Sequence, residues 1–449
     1  MYESLVAEYL EQPIPQHVKR DVKALELPAP KRHNLVYTIT GVRRCGKTFF
    51  MFQTMQGLLD AGVPRELLFQ FSFDDERIMP YGDTTASDVL EAYYRLVPQA
   101  REGCYLFFDE IQDVPHWSAF IRRISEQYPL TVVLTGSSSK LLSSDVPTAF
   151  RGRSLVREMW PLSFVEYCRF HEVEPPRFKE AATGSECARI SDAFNAYLVQ
   201  GGFPAAQKLT ALERVQLLQG YATQIITRDV VERFGSTSYR VAERFSRAAL
   251  RSTGLKFSVN SQLKQLRAAK IPVSPEGLYA LLDDFEDAHL LFKVSDYTLS
   301  IKENPKSAYK VYSVDPGLSL AVAPANHLDE GQRLETAVFI ELKRRFGNSR
   351  ENAIASYSAV DCPEVDFVVG DVALEEQYQL IQVAVYSGAS TEDREPTKKY
   401  RSEVGNLEKA MARTGLQEGW LITKEEECDL QLPCGTVHIV PAWRWFLGA

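Results

Sequence analysis

The feature that most constrains this chain is a glycine loop placed between a strand pattern and a helix pattern. Residues 41–50 read GVRRCGKTFF, which fits the pattern G-x-x-x-x-G-K-[ST]. The β-branched run LVYTIT precedes the loop, and TFFMFQTMQGLLDAG follows it as a helix pattern that ends at Gly62. This order brings backbone N–H groups and the positive end of a helix dipole together. The sequence therefore predicts a phosphate-binding loop in a parallel α/β fold.

Such a loop cradles the phosphates of a nucleoside triphosphate. Its lysine, here Lys47, reaches the outer phosphates, and its hydroxyl, here Thr48, ligates Mg²⁺. A lysine in an ordinary strand-to-helix turn is the alternative. The predicted ATP-binding residues are Gly41, Val42, Arg43, Arg44, Cys45, Gly46, Lys47, Thr48 and Phe49.

A second apolar run, CYLFFDEIQ at 104–112, carries two adjacent acids at its end. This pattern is typical of a buried parallel strand with carboxylates at its carboxyl end. Asp109 is predicted to hold Mg²⁺ through water or Thr48, and Glu110 to orient and deprotonate the attacking water. Acids in a solvated loop are the alternative, but they leave the preceding apolar run unexplained.

Two further segments supply candidate catalytic groups. The strand pattern LTVVLTG at 130–136 is followed by Ser137, whose hydroxyl is placed to sense a γ-phosphate but also suits a turn or a helix cap. The segment AFRGRS contains Arg151 and Arg153. An arginine there could stabilise transition-state charge in its own subunit or in a neighbour's, although most arginines are solvated surface groups.

Composition limits the other function classes. A chain of 449 residues, 45% hydrophobic, has room for two to four domains, and a formal net charge of -8 excludes a surface that is basic throughout. The seven cysteines form no C-x-x-C pair. No signal-peptide pattern or membrane-spanning run is present. We expect a soluble cytoplasmic protein with no membrane partner.

Taken together, ITGVRRCGKT, LFFDEIQ, LTGSSSKLL, FRGRS with PLSFVEY, and YLVQGGFP resemble a prokaryotic family of predicted AAA-type ATPases with a carboxy-terminal domain of unknown function. The resemblance continues through TRDVVERF, LLDDFEDAHLLFKV, YKVYSVDPGLS, LETAVFIELKRR and EVDFVV. It covers about residues 30–390. It implies a P-loop core at 1–160, a helical lid at 161–238, a winged-helix module at 239–315 and a restriction-endonuclease-like α/β domain at 316–449.

The resemblance also implies roles for individual residues. Gly41, Gly46, Lys47 and Thr48 take the phosphate-loop positions, Asp109 the metal position and Glu110 the base position. Ser137 takes the sensor position. Arg153 becomes the candidate arginine finger, with Arg151 as the alternative. A finger that acts in a neighbouring subunit implies a homo-oligomer.

The segment 241–300 reads as three helices and a hairpin, with Ser274 as the cap of the third helix and Pro275 in its first turn. The third helix carries Asp283, Asp284, Glu286 and Asp287, which disfavours base reading in a major groove. Basic residues nearby suit non-specific phosphate contacts or a solvated face. They are Lys256, Lys264, Arg267 and Lys270, with Lys302, Lys306 and Lys310 on the predicted wing. DNA contact and protein docking remain equal alternatives.

The carboxy-terminal domain has an incomplete nuclease pattern. A helix starting near Glu335 and a strand containing Asp366 supply two acids, but Gln382 and Ala384 stand where an acid and a lysine are needed. Lys398 or Lys399 could replace that lysine. We predict no nuclease activity; the alternative is an ATP-gated, metal-dependent nuclease.

The sequence as a whole predicts a Mg²⁺-dependent ATP hydrolase that acts as a conformational switch or remodeller on nucleic acid or a bound partner. A regulatory nucleotide switch that docks a protein without DNA is the other alternative.

Overall fold

The computed structural model describes residues 2–448 except 23–24, 137–149, 151, 179–181, 236–237, 298–308, 324–329, 347–352, 360–361, 371–377 and 386–397. The chain divides into two compact units. The first comprises Met1–Trp160 with Asp287–His289, and the second comprises Pro161–Glu286 with Leu290–Ala449.

The first unit contains a five-stranded parallel sheet in the order β2-β3-β4-β1-β5. Its strands are β1 Val36–Gly41, β2 Leu68–Ser72, β3 Cys104–Asp109, β4 Leu130–Thr135 and β5 Ser154–Met159. Its helices are α1 Tyr2–Glu11, α2 Lys47–Asp60, α3 Thr85–Leu96 and α4 Trp117–Gln127. Strands β1, β3 and β4 are buried throughout, as expected for a parallel sheet covered on both faces.

The second unit begins with a helical region. Its helices are α5 Phe164–Phe170, α6 Gly184–Gln200 and α7 Ala211–Gln224, and α7 continues through a π-helical segment, Ile225–Val231, into a last turn, Glu232–Phe234. A three-stranded sheet follows in the order β6-β8-β7, with β6 between the first and second of three helices. These elements are α8 Tyr239–Arg251, β6 Leu255–Phe257, α9 Val259–Ala268, α10 Pro275–Asp287, β7 Leu291–Val294 and β8 Tyr309–Ser313. Ser274 accepts a hydrogen bond from the N–H of Gly277, so the predicted cap of α10 is confirmed.

The remainder of the second unit is built on a mixed six-stranded sheet in the order β13-β14-β12-β11-β10-β9. Its strands are β9 Ile354–Ala359, β10 Cys362–Val369, β11 Gln379–Ala384, β12 Glu418–Thr423, β13 Cys428–Leu432 and β14 Gly435–Pro441. Its helices are α11 Pro316–Val322, α12 Glu330–Phe346, α13 Lys398–Thr414 and α14 Ala442–Phe446.

One boundary differs from the sequence prediction. Helix α12 begins at Glu330, so Glu335 lies in its second turn rather than at its start. The last strand, β14, ends at Pro441, and the helix Ala442–Phe446 follows it directly. Proline has no N–H to donate to a strand ladder, and its fixed φ suits the residue before a helix.

The helical region is joined to α11 by a buried carboxylate. Asp315 accepts hydrogen bonds from the N–H of Gly202 at 2.6 Å and from the N–H of Leu318 at 2.8 Å. Burial raises the pKa of Asp315 to about 6. This contact brings together the QGGFP and DPGLS motifs, which lie more than a hundred residues apart in the sequence.

Candidate nucleotide site

The glycine loop leaves β1 at Gly41 and enters α2 at Lys47. Gly41 has φ +139°, and a Cβ atom there would lie 2.1 Å from the carbonyl oxygen of Met159. A side chain at this position would therefore collide with the neighbouring strand. Gly46 precedes α2 with φ 105° and provides no side-chain cap. The first N–H groups of α2 have no capping side chain to bond, which leaves them suited to an anion.

Lys47 is almost fully buried at the loop. Its Nζ donates to the carbonyl oxygens of Gly41 at 2.9 Å and Val42 at 3.2 Å. An anionic phosphate oxygen is a better acceptor for an ammonium group than a neutral carbonyl. The side chain is therefore placed to bind an outer phosphate.

The hydroxyl of Thr48 donates to Oδ2 of Asp109 at 2.7 Å. The hydroxyl of Thr135, at the end of β4, donates to Oδ1 of the same carboxylate. Burial and the neighbouring Glu110 raise the pKa of Asp109. Hydroxyl and carboxylate oxygens are ligands that Mg²⁺ prefers, so Thr48 and Asp109 form a fitting donor pair.

Glu110 follows β3 with φ 54°, and its N–H donates to the carbonyl oxygen of Thr135. The side chain of Gln112 donates to Oε2 of Glu110. The hydrogen bond from Gln112 orients the carboxylate of Glu110. The two acids therefore have different surroundings: two threonine hydroxyls bond Asp109, and a glutamine amide bonds Glu110.

Two residues that contact the loop or its carboxylate are absent from the sequence prediction: Thr135, which bonds Asp109, and Arg20, whose guanidinium donates to the carbonyl oxygens of Cys45 and Trp160. For Thr135, a polar residue at the end of the buried LTVVLTG strand is an available signal. Arg20 has no such signal, because it lies in an irregular segment 21 residues before Gly41.

The other candidate catalytic residues have different outcomes. Ser137 and Arg151 lie outside the described residues. Arg153 is exposed and directly precedes β5, where its carbonyl oxygen accepts from the N–H of Val36 at the start of β1. The glycine loop lies at the opposite end of β1, about 16 Å away at the rise of a parallel strand. Arg153 therefore cannot serve its own subunit's loop.

Neither alternative from the sequence, a phosphate contact or a solvated face, is correct for Lys310. Lys310 lies on β8 and is only 5% exposed. Its Nζ lies 2.7 Å from Oε1 of Glu335, 2.5 Å from Oε1 of Glu364 and 2.9 Å from Oδ1 of Asp366. The three carboxylates offset the free-energy cost of burying the ammonium group. The Lys310 side chain is therefore not exposed for contact with a phosphate. Lys302 and Lys306 lie outside the described residues.

The surroundings of Lys310 bear on the incomplete nuclease pattern. Ala384 supplies no lysine near Asp366, but Lys310 brings an ammonium group there from β8. Gln382 accepts from the N–H of Asp366 and donates to Glu403. Among the described residues, no group of three acidic, histidine or cysteine side chains is arranged to hold a metal ion.

Comparison with known proteins supports the nucleotide-binding assignment. A family model described as an AAA domain matches residues 33–168, and a model of a domain of unknown function matches residues 191–329. The five-stranded parallel sheet and this match support an AAA-type P-loop ATPase domain in the first part of the chain. Among the described residues, no helix has the length and apolar character needed to cross a membrane.

Two curated relatives are uncharacterized proteins. One, MJ1544 of Methanocaldococcus jannaschii, is 29% identical over 96% of this chain and 91% of its own length. The other, from Haemophilus influenzae, is 26% identical over 75% of this chain and 80% of its own length. Similar solved structures include the Walker-type ATPase PABY2304 of Pyrococcus abyssi (14% identity, 72% of this chain, 94% of that chain, TM-score 0.38). The ORC2 protein of Aeropyrum pernix is another (12% identity, 72% of this chain, 91% of that chain, TM-score 0.34).

Proposed function

We propose that this protein is a Mg²⁺-dependent ATP hydrolase that acts as a conformational switch or remodeller on nucleic acid or a bound partner. The observation that carries the proposal is the meeting of Lys47, Thr48 and Asp109 with Glu110 at the carboxyl ends of β1, β3 and β4. Lys47 and the N–H groups of α2 bind the phosphates. Thr48 and Asp109 would hold Mg²⁺, which would neutralise charge on the phosphate oxygens. Glu110 orients the attacking water and accepts its proton.

The second unit is proposed to respond to the nucleotide. Its three helices and three-stranded sheet, with β6 between α8 and α9, support a winged-helix module, and the mixed sheet with α12 supports a restriction-endonuclease-like domain. We propose that this domain has no nuclease activity. The Lys310 ammonium already occupies the space between the three carboxylates, so a metal ion would have to displace a buried ion-paired lysine.

Arg153 is proposed to act as an arginine finger only in a neighbouring subunit. This role makes a homo-oligomer part of the hydrolytic cycle. A regulatory switch that docks a protein without DNA remains the alternative, and the acidic overall charge favours it.

Steady-state ATP hydrolysis tests the proposal. The wild type, Glu110→Gln and the control Glu102→Gln, an exposed carboxylate, are each assayed alone, with duplex DNA and with single-stranded DNA, at two salt concentrations. The amide oxygen introduced by Glu110→Gln can still accept from Gln112, so the variant should fold and bind ATP but lose turnover by a factor of about 100 or more. Turnover that persists in Glu110→Gln would refute the assignment of the base. Stimulation by DNA that declines with salt would support action on nucleic acid, and its absence would favour the protein-docking switch.

A further inference from the structure

Helix α8 presents a line of arginines that the sequence analysis did not single out. Its buried face consists of Val241, Ala242, Phe245, Ser246, Ala249 and Leu250. The opposite face carries four exposed arginines at spacings of four, three and four residues, which places them on one side of a helix. This arginine stripe comprises Arg240, Arg244, Arg247 and Arg251.

Most of the stripe's charge is not neutralised by neighbours. Arg247 pairs with Glu243 at 3.1 Å, and their side chains are 61% and 38% exposed. Within the part of the chain that the structure describes, Arg240, Arg244 and Arg251 form no ion pair. The stripe therefore concentrates positive charge on one face of a chain whose formal net charge is -8.

The geometry points to a polyanion with regularly spaced charges. At 1.5 Å per residue, the stripe extends over about 16 Å, comparable to four or five nucleotides at 3.4 Å per strand step. Between the arginines, the exposed face of α8 has no large apolar side chain that could form the core of a protein interface. Tyr239, which is 39% exposed, lies at its amino-terminal end.

We propose that the arginine stripe of α8 binds the phosphate backbone of duplex nucleic acid without reading its sequence. The inference rests on the proposed function in that it names the surface through which the ATPase would engage nucleic acid. The proposal places the nucleic-acid contact on α8, the first of the three helices, rather than on α10, the third. Lys293 pairs with Glu286 at 3.0 Å and also with Asp283, which offsets part of the negative charge of α10.

The test is the salt dependence of binding, measured by fluorescence anisotropy with the full chain and a labelled duplex of random sequence. Each phosphate contact contributes about 0.9 to the slope of log affinity against log salt. The variant Arg240→Gln/Arg244→Gln/Arg251→Gln should reduce the slope by about 2.7 and weaken binding at low salt at least about tenfold. A labelled single strand, for which each contact contributes about 0.7, distinguishes duplex from single-stranded partners.

Two charge-matched variants serve as controls. Arg77→Gln/Arg95→Gln/Arg101→Gln removes three exposed arginines that are paired with acids in the first unit. Lys264→Gln/Arg267→Gln/Lys270→Gln removes three exposed cations from α9 and the turn that follows it. The proposal requires that the slope fall in the stripe variant and remain unchanged in the first control. All variants should keep the wild-type unfolding midpoint, because the substituted side chains are exposed.

Three outcomes would overturn the proposal. An unchanged slope in the stripe variant, with a reduced slope in the α9 variant, would move DNA binding to α9 and leave the proposed function standing. Tighter binding to the single strand than to the duplex would contradict the assigned partner. Absence of duplex binding by the wild type at low salt would refute the stripe, whereas ATP hydrolysis, measured separately with Glu110→Gln, would still decide the proposed ATPase activity.

Discussion

The guanidinium of Arg20 donates a hydrogen bond of 2.7 Å to the carbonyl oxygen of Cys45 inside the glycine loop. It donates another, also 2.7 Å, to the carbonyl oxygen of Trp160. The side chain of Gln53 on α2 bonds both the N–H and the carbonyl of Arg20 and so fixes this segment. In a trans peptide the C=O and the next N–H point in opposite directions. Because the carbonyl of Cys45 points toward Arg20, the N–H of Gly46 in the same peptide points away from Arg20, to the other side of the loop.

Replacement of Arg20 should weaken binding of the phosphates. Arg20→Met leaves the carbonyl of Cys45 without this donor, and we expect ADP affinity to fall about tenfold with a loss of stability of about 1–3 kcal/mol. Arg20→Lys should recover part of the affinity, because one ammonium can still reach one of the two carbonyls. Calorimetric titration with ADP and with adenosine provides the measurement. Equal losses for both ligands would contradict a role in positioning the phosphate loop.

The hydroxyl of Thr135 should be needed to hold Asp109. Thr135→Val keeps the shape of the side chain but removes the donor to a buried carboxylate, which costs about 1–3 kcal/mol. We expect lower ATP turnover and a lower free energy of unfolding in urea. Thr135→Ser restores the hydroxyl and should recover both. Wild-type turnover in Thr135→Val would show that Thr48 alone orients Asp109.

Lys310 should stabilise the fold rather than bind DNA. Lys310→Met leaves Glu335, Glu364 and Asp366 facing one another, and breaking such a buried ion pair costs about 3–5 kcal/mol. Adding Glu335→Gln and Asp366→Asn should restore much of that loss. Urea unfolding measures both effects. An exposed wing lysine, as the sequence suggested, would change stability by no more than about 0.5 kcal/mol.

Asp315 should make stability depend on pH. Its folded pKa of about 6 lies above the usual value of 3.8, so the folded state binds the proton more tightly than the unfolded state. Its stabilising contribution is therefore complete below about pH 4 and is lost as the pH rises through about 6. The shift corresponds to about 3 kcal/mol.

The measurement is urea unfolding of the wild type and Asp315→Asn across this pH range. Asn also disturbs the bonds to Gly202 and Leu318, so the absolute stabilities will differ at every pH. The informative quantity is the slope, and the variant should lack the decline between about pH 4 and 6. Parallel pH profiles for the two proteins would rule out titration of Asp315.

Much of the nucleotide-binding unit could be predicted because its signals are local. The loop pattern around Lys47, the apolar run before Asp109 and the strand before Gly41 each lie within a few residues of the group that they position. The parallel sheet then brings the ends of β1, β3 and β4 to one edge. The position of Arg153 could also be deduced in part. Arg153 precedes β5, whereas the glycine loop follows the parallel strand β1, so the two lie at opposite edges of the sheet.

The sequence alone determined the phosphate loop, the strand and helix that flank it, and the two acids at the end of β3, because these depend on periodicity and on neighbouring residues. Only the tertiary structure decided which distant groups meet: Arg20 with Cys45, Thr135 with Asp109, Asp315 with Gly202, and Lys310 with three acids. The reason is physical. A lysine in a polar stretch looks solvated until the fold buries it, and the cost of that burial is offset by carboxylates from other elements that no local pattern identifies.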